Sequence, residues 1–345
     1  MEFFRRYPLV VPAILVMLLA LVFSEPSSRN YEYNTSVVSR MRTTTREFRD
    51  DLVSNLHSYG LTDESLAIVS AMTLGEKSLL TRDVRKDFSS SGASHVLALS
   101  GLHLSILYFL LSFLLPFRRY RWFSSAVSLS LIWSYAVLVG LSVSIVRSAV
   151  MLSVFVFARL LNRPSLSLNS LALAAIVIVL PSPSAIYEIS FQLSFLAVLA
   201  IITIYPVLYR IIPSEFLMSH RILRVFWSFL IISFVAQLGT APLSSHYFGT
   251  FPTYFLLTNL IVIPASYIIV WGGLFMFLHI IPVTIGAILS FTVSAVRCTL
   301  SFITSFPGAV IDIRLTTAQV AVVYLTAVSV GLVIYYLKQR SEQSE

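Results

Sequence analysis

The stretch Ala93-Ser94-His95-Val96-Leu97-Ala98-Leu99-Ser100-Gly101-Leu102-His103 decides the fold of this chain. It places two histidines, two serines and a glycine within a long apolar run. Imidazole and hydroxyl groups are costly in hydrocarbon unless they face protein or water. This polar stripe therefore indicates an internal surface between membrane helices.

The composition predicts a membrane protein with many spans. The 345 residues are 57% hydrophobic and 12% charged, which is too apolar for a soluble domain of this length. We predict an all-α fold, a polytopic transmembrane helical bundle of about ten spans with broken or re-entrant segments and short external amphipathic helices. The predicted spans lie at about residues 8–23, 94–115, 123–141, 143–161, 166–181, 187–209, 225–244, 252–272, 283–305 and 317–337.

Topology accounts for most of the net charge of +8. Ten spans put both termini on one side, and the segments on that side hold eleven cations and four acids. Positive charge accumulates in cytoplasmic segments. We therefore predict a bacterial cytoplasmic (inner) membrane protein with both termini in the cytoplasm, and the basic charge is no argument for nucleic-acid binding.

Four segments follow from this topology. They are an N-terminal transmembrane anchor at 1–23, an external amphipathic helical segment at 24–93, a multi-pass domain at 94–337 and a cytoplasmic tail at 338–345.

The external segment has the pattern of three helices. Apolar residues recur at helical spacing up to Gly60, which predicts one amphipathic helix. A second helix is predicted from Thr62 or Asp63 to about Thr73, lying on the membrane surface or against the bundle. Thr81 is predicted to cap a third.

Two polar breaks interrupt the apolar runs, at 140–147 and 181–188. The first has too few residues for a full aqueous loop. Non-helical backbone at membrane depth persists only where it is buried in protein or lines water. We predict that both breaks fall on the external side, where the helix with His95 also begins.

His95 and His103 lie eight residues apart, which on one helix is about 80° of rotation and about 12 Å of rise. That spacing does not suit joint metal ligation. Either they are interior histidines bonded across helices, or they line a hydrated path together with Ser100. Gly101 would let a neighbouring helix or substrate strand approach closely.

Arg147 lies about one turn inside an apolar segment and needs an anionic partner, carbonyl groups or water. Glu188 is its natural structural partner. The alternatives are that Arg147 extends to the outer headgroups, or that its planar guanidinium contacts a passing phosphate.

Other polar side chains lie within or near the predicted spans. The amides among them serve either as contacts between helices or as part of a substrate path. The members that we include in the candidate path are Gln192, Ser194, Gln237 and Asn259.

No catalytic constellation is found in the sequence. No nucleophile, base and acid can be grouped, and a single cysteine, Cys298, excludes an internal disulfide. We expect no enzymatic activity, no cofactor and no metal site.

Six blocks of sequence resemble the membrane domain of ComEC-type competence proteins. Residues 97–103 resemble the family's "LxxSGLH" segment, and residues 71–78 resemble "ALLLGDRS". The other blocks are residues 140–151 ("GxSxxxxRAxxM"), 169–173 with 191–197 ("NxLALA…GFQLSFLA"), 236–264 ("AQxxTxPLxxxxFG…NLxxxP") and 306–308 ("LPG").

The resemblance implies a channel that moves single-stranded DNA from the exterior or periplasm to the cytoplasm during natural transformation. Its other partners would be the lipid bilayer, a separate external DNA receptor and a cytoplasmic motor or nuclease, and a homo-oligomer is compatible with it. Two domains common in the family lack counterparts here. No OB-fold pattern occupies residues 24–93, and no histidine cluster of the metallo-β-lactamase-like type is present.

Two alternatives stay open. One is a secondary transporter for a small or anionic solute, although the buried carboxylates and inverted repeats typical of such proteins are not evident. The other is a reduced family member that serves as a scaffold and does not transport.

Overall fold

A computed structural model describes residues 36–116, 119–163, 167–181 and 183–342. The all-α prediction is confirmed, since 78% of the described residues are helical. The described part contains fifteen α-helices: α1 (Ser36–Ser58), α2 (Asp63–Leu74), α3 (Arg82–Ser90), α4 (Ser94–Leu97), α5 (Gly101–Leu114), α6 (Arg121–Leu138), α7 (Val143–Leu160), α8 (Leu168–Val179), α9 (Ile189–Thr203), α10 (Tyr205–Tyr209), α11 (Ser214–Ser219), α12 (Arg221–Phe248), α13 (Phe255–Phe277), α14 (Pro282–Thr304) and α15 (Thr317–Glu342).

The three helices predicted in the polar segment are present with their predicted ends. Gly75 ends α2 in the left-handed conformation, at φ 75°, which glycine adopts without steric cost. The side chain of Thr81 caps α3 by accepting a hydrogen bond from the backbone N–H of Val84. The buried side chains of Val84 and Phe88 then hold α3 against the protein.

Helix α2 is buried on all its faces from Ala67 onward. Its residues from Ala67 to Leu74 are all buried, and it packs against α1, α4, α13 and α14. A short helix that is apolar all round must be enclosed by protein. Of the two predicted positions for this helix, the one against the bundle is therefore confirmed.

The prediction of one helix through the histidine motif is wrong. Helix α4 ends at Leu97 and α5 begins at Gly101. Ser100 is the reason, because its side chain accepts from the N–H of Leu102 and so starts a new helix. The rotation and rise calculated for His95 and His103 on a single helix therefore do not apply.

The two predicted breaks are confirmed. Between α6 and α7 the chain turns through Gly140 and Leu141, both at positive φ. Between α8 and α9 it forms a 3₁₀-helix, Pro183–Tyr187. Each break places the start of the following helix against neighbouring protein.

Among the described residues, four helices are long and apolar enough to cross a bilayer, namely α7, α12, α13 and α14. Four further apolar helices are shorter: α5, α8, α9 and the part of α15 from Thr317 to Ser329. The count of ten spans is not confirmed, and the first predicted span, 8–23, falls outside the described residues.

A two-stranded antiparallel ribbon joins distant parts of the chain. Strand β1 (Thr250–Pro252) follows α12, and strand β2 (Val310–Asp312) follows α14. Thr250 pairs with Asp312 and Pro252 with Val310. The ribbon fixes the end of α12 beside the end of α14.

Candidate functional site

Arg147 is the centre of a buried polar cluster between α7 and α9. Its guanidinium donates hydrogen bonds to the hydroxyl oxygens of Ser190 at 3.0 Å, Ser194 at 3.2 Å and Ser144 at 3.3 Å. Only 4% of the side chain is exposed. The cluster therefore joins the first turns of two membrane helices through one cation.

Glu188 supplies the negative charge, as the sequence predicted. Its Oε2 lies 3.7 Å from Nη1 of Arg147. This distance is longer than that of a charge-assisted hydrogen bond. Glu188 is also the residue before α9, where a carboxylate interacts favourably with the helix dipole. One carboxylate thus serves both a guanidinium and a helix N-terminus.

A second group of predicted residues lies at the start of α5. His103 Nδ1 accepts the backbone N–H of Ser100 at 3.2 Å, so the ring proton sits on Nε2. His103 is buried. A Cβ added at Gly101 would lie 3.1 Å from Ser148 Oγ on α7, which confirms the close helix approach predicted at this glycine.

These contacts bring the first turns of three helices together. Gly101 of α5 meets Ser148 of α7, and Arg147 of α7 meets Ser190 and Ser194 of α9. Each helix N-terminus carries a partial positive charge. Together with Arg147 they make a site that favours anions, opposed locally by Glu188.

The remaining predicted residues have other roles or lie apart from the cluster. Gln192 donates to the carbonyl oxygen of Ile186 and accepts from Tyr247 OH, so it ties α9 to α12. His95 is exposed, with Nδ1 3.1 Å from the carbonyl oxygen of Gly92. Among the described residues no hydrogen bond links Gln237, half-buried on α12, or Asn259, buried on α13, to the Arg147 cluster.

Sequence reasoning missed a second arginine inside an apolar helix. Arg297, on α14, lies 3.1 Å from Glu64 Oε1 of α2 and 3.1 Å from Asp87 Oδ2 of α3. The signal was available, since Arg297 interrupts the apolar run 283–305. Its partners come from the polar segment, which is thereby fixed to a candidate membrane span.

The fold and these charged clusters define a polytopic all-α membrane protein whose buried cations join its helices. The chain belongs to the competence protein family, whose family model matches residues 72–340. The predicted resemblance to ComEC-type proteins is thus confirmed.

Two relatives are similar to parts of the chain. It is 28% identical over 207 residues to ComE operon protein 3 of Bacillus subtilis (strain 168), which covers 59% of this chain and 25% of that protein. It is 30% identical over 215 residues to an uncharacterized protein of Aquifex aeolicus (strain VF5), covering 62% of this chain and 48% of that one. The chain therefore matches half or less of each relative, and no solved structure matches it.

Proposed function

We propose that this protein forms a path by which single-stranded DNA crosses the bacterial cytoplasmic membrane during natural transformation. Membership of the competence protein family over residues 72–340 supports a role in DNA uptake. The proposal adds to this role that one DNA strand passes through this chain.

The observation that carries the proposal is the proximity of three helix N-termini, those of α7 and α9 at Arg147 and that of α5 at the adjacent Ser148. Helix N-termini and guanidinium groups are the protein's usual means of binding phosphate. The Glu188 carboxylate lies 3.7 Å from the guanidinium of Arg147, whose other partners named above are neutral serine hydroxyls. A phosphodiester oxygen can replace such partners when the helices separate, so we assign the described arrangement to a closed state.

Uptake of labelled DNA by a competent host tests this assignment. Arg147→Gln should lower DNA entry strongly, and Arg147→Lys should retain part of it, since the charge remains and the planar fork is lost. Arg159→Gln is the matched control, because Arg159 is exposed on the same helix. Membrane abundance is measured for each variant, and normal uptake by Arg147→Gln at normal abundance would contradict the role of Arg147.

The orientation in the membrane belongs to the same proposal. Both termini lie in the cytoplasm, because the segments predicted on that side carry most of the net charge of +8. Fusions of alkaline phosphatase and of a fluorescent protein at Arg119, Leu217 and the C-terminus test it. Phosphatase activity at any of these three sites would overturn the topology.

We propose that the protein itself is not an enzyme. A separate nuclease would degrade the second DNA strand, or a separate motor would supply the driving force. Among the described residues, no three potential ligands from His, Cys, Asp and Glu come together as a metal site. Purified protein is expected to leave labelled DNA intact with and without divalent cations. Degradation that persists through repeated purification would refute this.

The same anion-favouring cluster suits a transporter of a small anion. Proteoliposomes distinguish the two functions, with radiolabelled inorganic phosphate as one substrate and a labelled oligonucleotide as the other. Phosphate uptake that depends on Arg147, without entry of the oligonucleotide, would favour the transporter.

A further inference from the structure

Helix α3 and the turn before it carry a concentrated positive charge. Four exposed cations occur within ten residues, and we name them the α3 cationic face: Lys77, Arg82, Arg85 and Lys86. The topology prediction puts this segment outside the membrane.

The acids of the same segment are largely engaged elsewhere. Asp87 pairs with Arg297 on α14. Glu76 accepts the backbone N–H of Ser78 at 2.9 Å. Hydrogen bonding from the side chain of Ser78, and to a smaller extent from its backbone N–H, lowers the pKa of the Glu76 carboxyl group. Asp83 remains as the acid closest in sequence to the face. A segment that is nearly neutral in sequence thus presents a cationic surface.

Two members of the face lie close together, and a third lies at a helix N-terminus. Arg85 donates a hydrogen bond to the carbonyl oxygen of Lys77 at 2.6 Å, which brings two cations together. Desolvation by neighbouring groups, with the Arg85 charge second, lowers the pKa of Lys77. Arg82 lies in the first turn of α3, where the helix dipole favours anions. A bound polyanion would relieve each of these interactions.

A cavity of about 470 Å³ opens between α3 and the ribbon. Asp83, Lys86, Asp87 and Ser90 line one side of it, and Thr304, Phe306, Ala309 and Val310 line the other. The ring of Phe306 lies 4.8 Å from that of Phe302 and 5.7 Å from that of Tyr254. The cavity therefore combines one ammonium group and two carboxylates with an aromatic surface.

We propose that the α3 cationic face and this cavity form an external docking site for single-stranded DNA. Backbone phosphates contact Arg82, Arg85 and Lys86, and a base enters the cavity against Phe306. Cationic grooves with aromatic platforms bind single strands with little sequence preference. The inference rests on the proposed function, and the chain leads from α3 through Gly92 and the four-residue helix α4 to α5, which begins at Gly101.

The test uses the full chain in phosphatidylcholine nanodiscs with a fluorescent oligo-dT. The triple variant Arg82→Gln/Arg85→Gln/Lys86→Gln should raise Kd about tenfold at 0.1 M salt and reduce the salt slope by about 2. The matched control is Arg210→Gln/Arg221→Gln/Arg224→Gln, which removes the same charge from the predicted cytoplasmic side. Equal Kd values for the wild type and the α3 triple variant, or equal losses in both triple variants, would overturn the proposal.

Three single variants keep the test valid if the triple variant folds poorly. Arg82→Gln and Lys86→Gln remove side chains that make no hydrogen bond among the described residues, and each should reduce the slope by about 0.7. Phe306→Leu should weaken binding of oligo-dT and leave binding of an abasic strand unchanged. Unchanged slopes in both Arg82→Gln and Lys86→Gln would contradict the proposal.

Anionic lipid is the competing ligand for the same cations. If the triple variant lost only its preference for phosphatidylglycerol in mixed nanodiscs, with DNA affinity intact, the docking site would be refuted. Failure of the proposed function has a different signature, namely normal DNA uptake after deletion of the gene. The two failures are therefore distinguishable.

Discussion

Two arginines within apolar helices are held in different ways. Arg147 is 4% exposed and is bound by one serine hydroxyl of its own helix and by two serine hydroxyls and one carboxylate from the neighbouring α9 region. Arg297 is 19% exposed and pairs with two carboxylates from helices more than 200 residues earlier in the chain. The first arginine joins membrane helices to each other, and the second joins the polar segment to the bundle.

The difference shows which features determine the cost of a cation in an apolar helix. Glu188 is 15% exposed, whereas Glu64 is 48% and Asp87 is 25% exposed. A carboxylate that loses its partner is costly when it is shielded from water and cheap when it is hydrated. The Arg147 cluster should therefore be the more sensitive of the two.

The largest expected effect is from removing Arg147, and removal of Arg297 is the comparison. Arg147→Met should lower the free energy of unfolding by about 3–5 kcal/mol. Arg297→Met should lower it by about 1–2 kcal/mol, because its partners regain hydration. Denaturant unfolding of both variants in the same detergent measures the difference.

The double variant Arg147→Met/Glu188→Gln is the control for this comparison. It removes the stranded carboxylate and should be more stable than Arg147→Met alone. Equal losses for the two single arginine variants would show that exposure of the partner carboxylates does not set the cost.

A smaller effect is expected at the uncharged contact between the polar segment and the bundle. A Cβ at Gly273 of α13 would lie 2.5 Å from Thr73 Cγ2 of α2. Gly273→Ala should therefore cost about 1–3 kcal/mol through overpacking. Thermal unfolding in detergent measures it.

Gly331→Ala is the matched control, since a Cβ there meets nothing within 4 Å. It should be neutral or slightly stabilising through helix propensity. Adding Thr73→Ser to Gly273→Ala should restore most of the loss, and no rescue would refute a direct clash between α2 and α13.

The smallest expected effect is at the corresponding contact beside Arg147. A Cβ at Gly101 would lie 3.1 Å from Ser148 Oγ, the end of a side chain that can rotate. Gly101→Ala should cost less than about 1 kcal/mol of unfolding free energy. Gly101→Ala/Ser148→Ala should abolish that cost, and a loss as large as that of Gly273→Ala would contradict the assignment.

Local signals in the sequence predicted much of the fold. Glycine and threonine at helix ends identified the limits of α2 and α3. The breaks at 140–147 and 181–188 were predicted because polar and helix-breaking residues interrupt apolar runs there. The pairing of Arg147 with Glu188 followed because both lie at neighbouring breaks.

Partners that are distant in sequence could not be predicted in this way. The ribbon pairs three-residue strands 58 or more residues apart, too short to give a pattern. The partners of Arg297 depend on how α2 and α3 pack, which one sequence does not specify. The break before α5 was predictable in principle, because Ser100 followed by His103 has the spacing of a capping box.

The enclosed position of α2 has a consequence for biosynthesis. Two of its packing partners, α13 and α14, begin about 180 residues or more after α2 ends. At about 5–20 residues per second, a ribosome needs about 10–40 s to make that intervening chain. During this interval eight consecutive core residues lack their final neighbours. Another surface, such as the bilayer surface or a chaperone, must therefore cover these residues until the last helices are inserted.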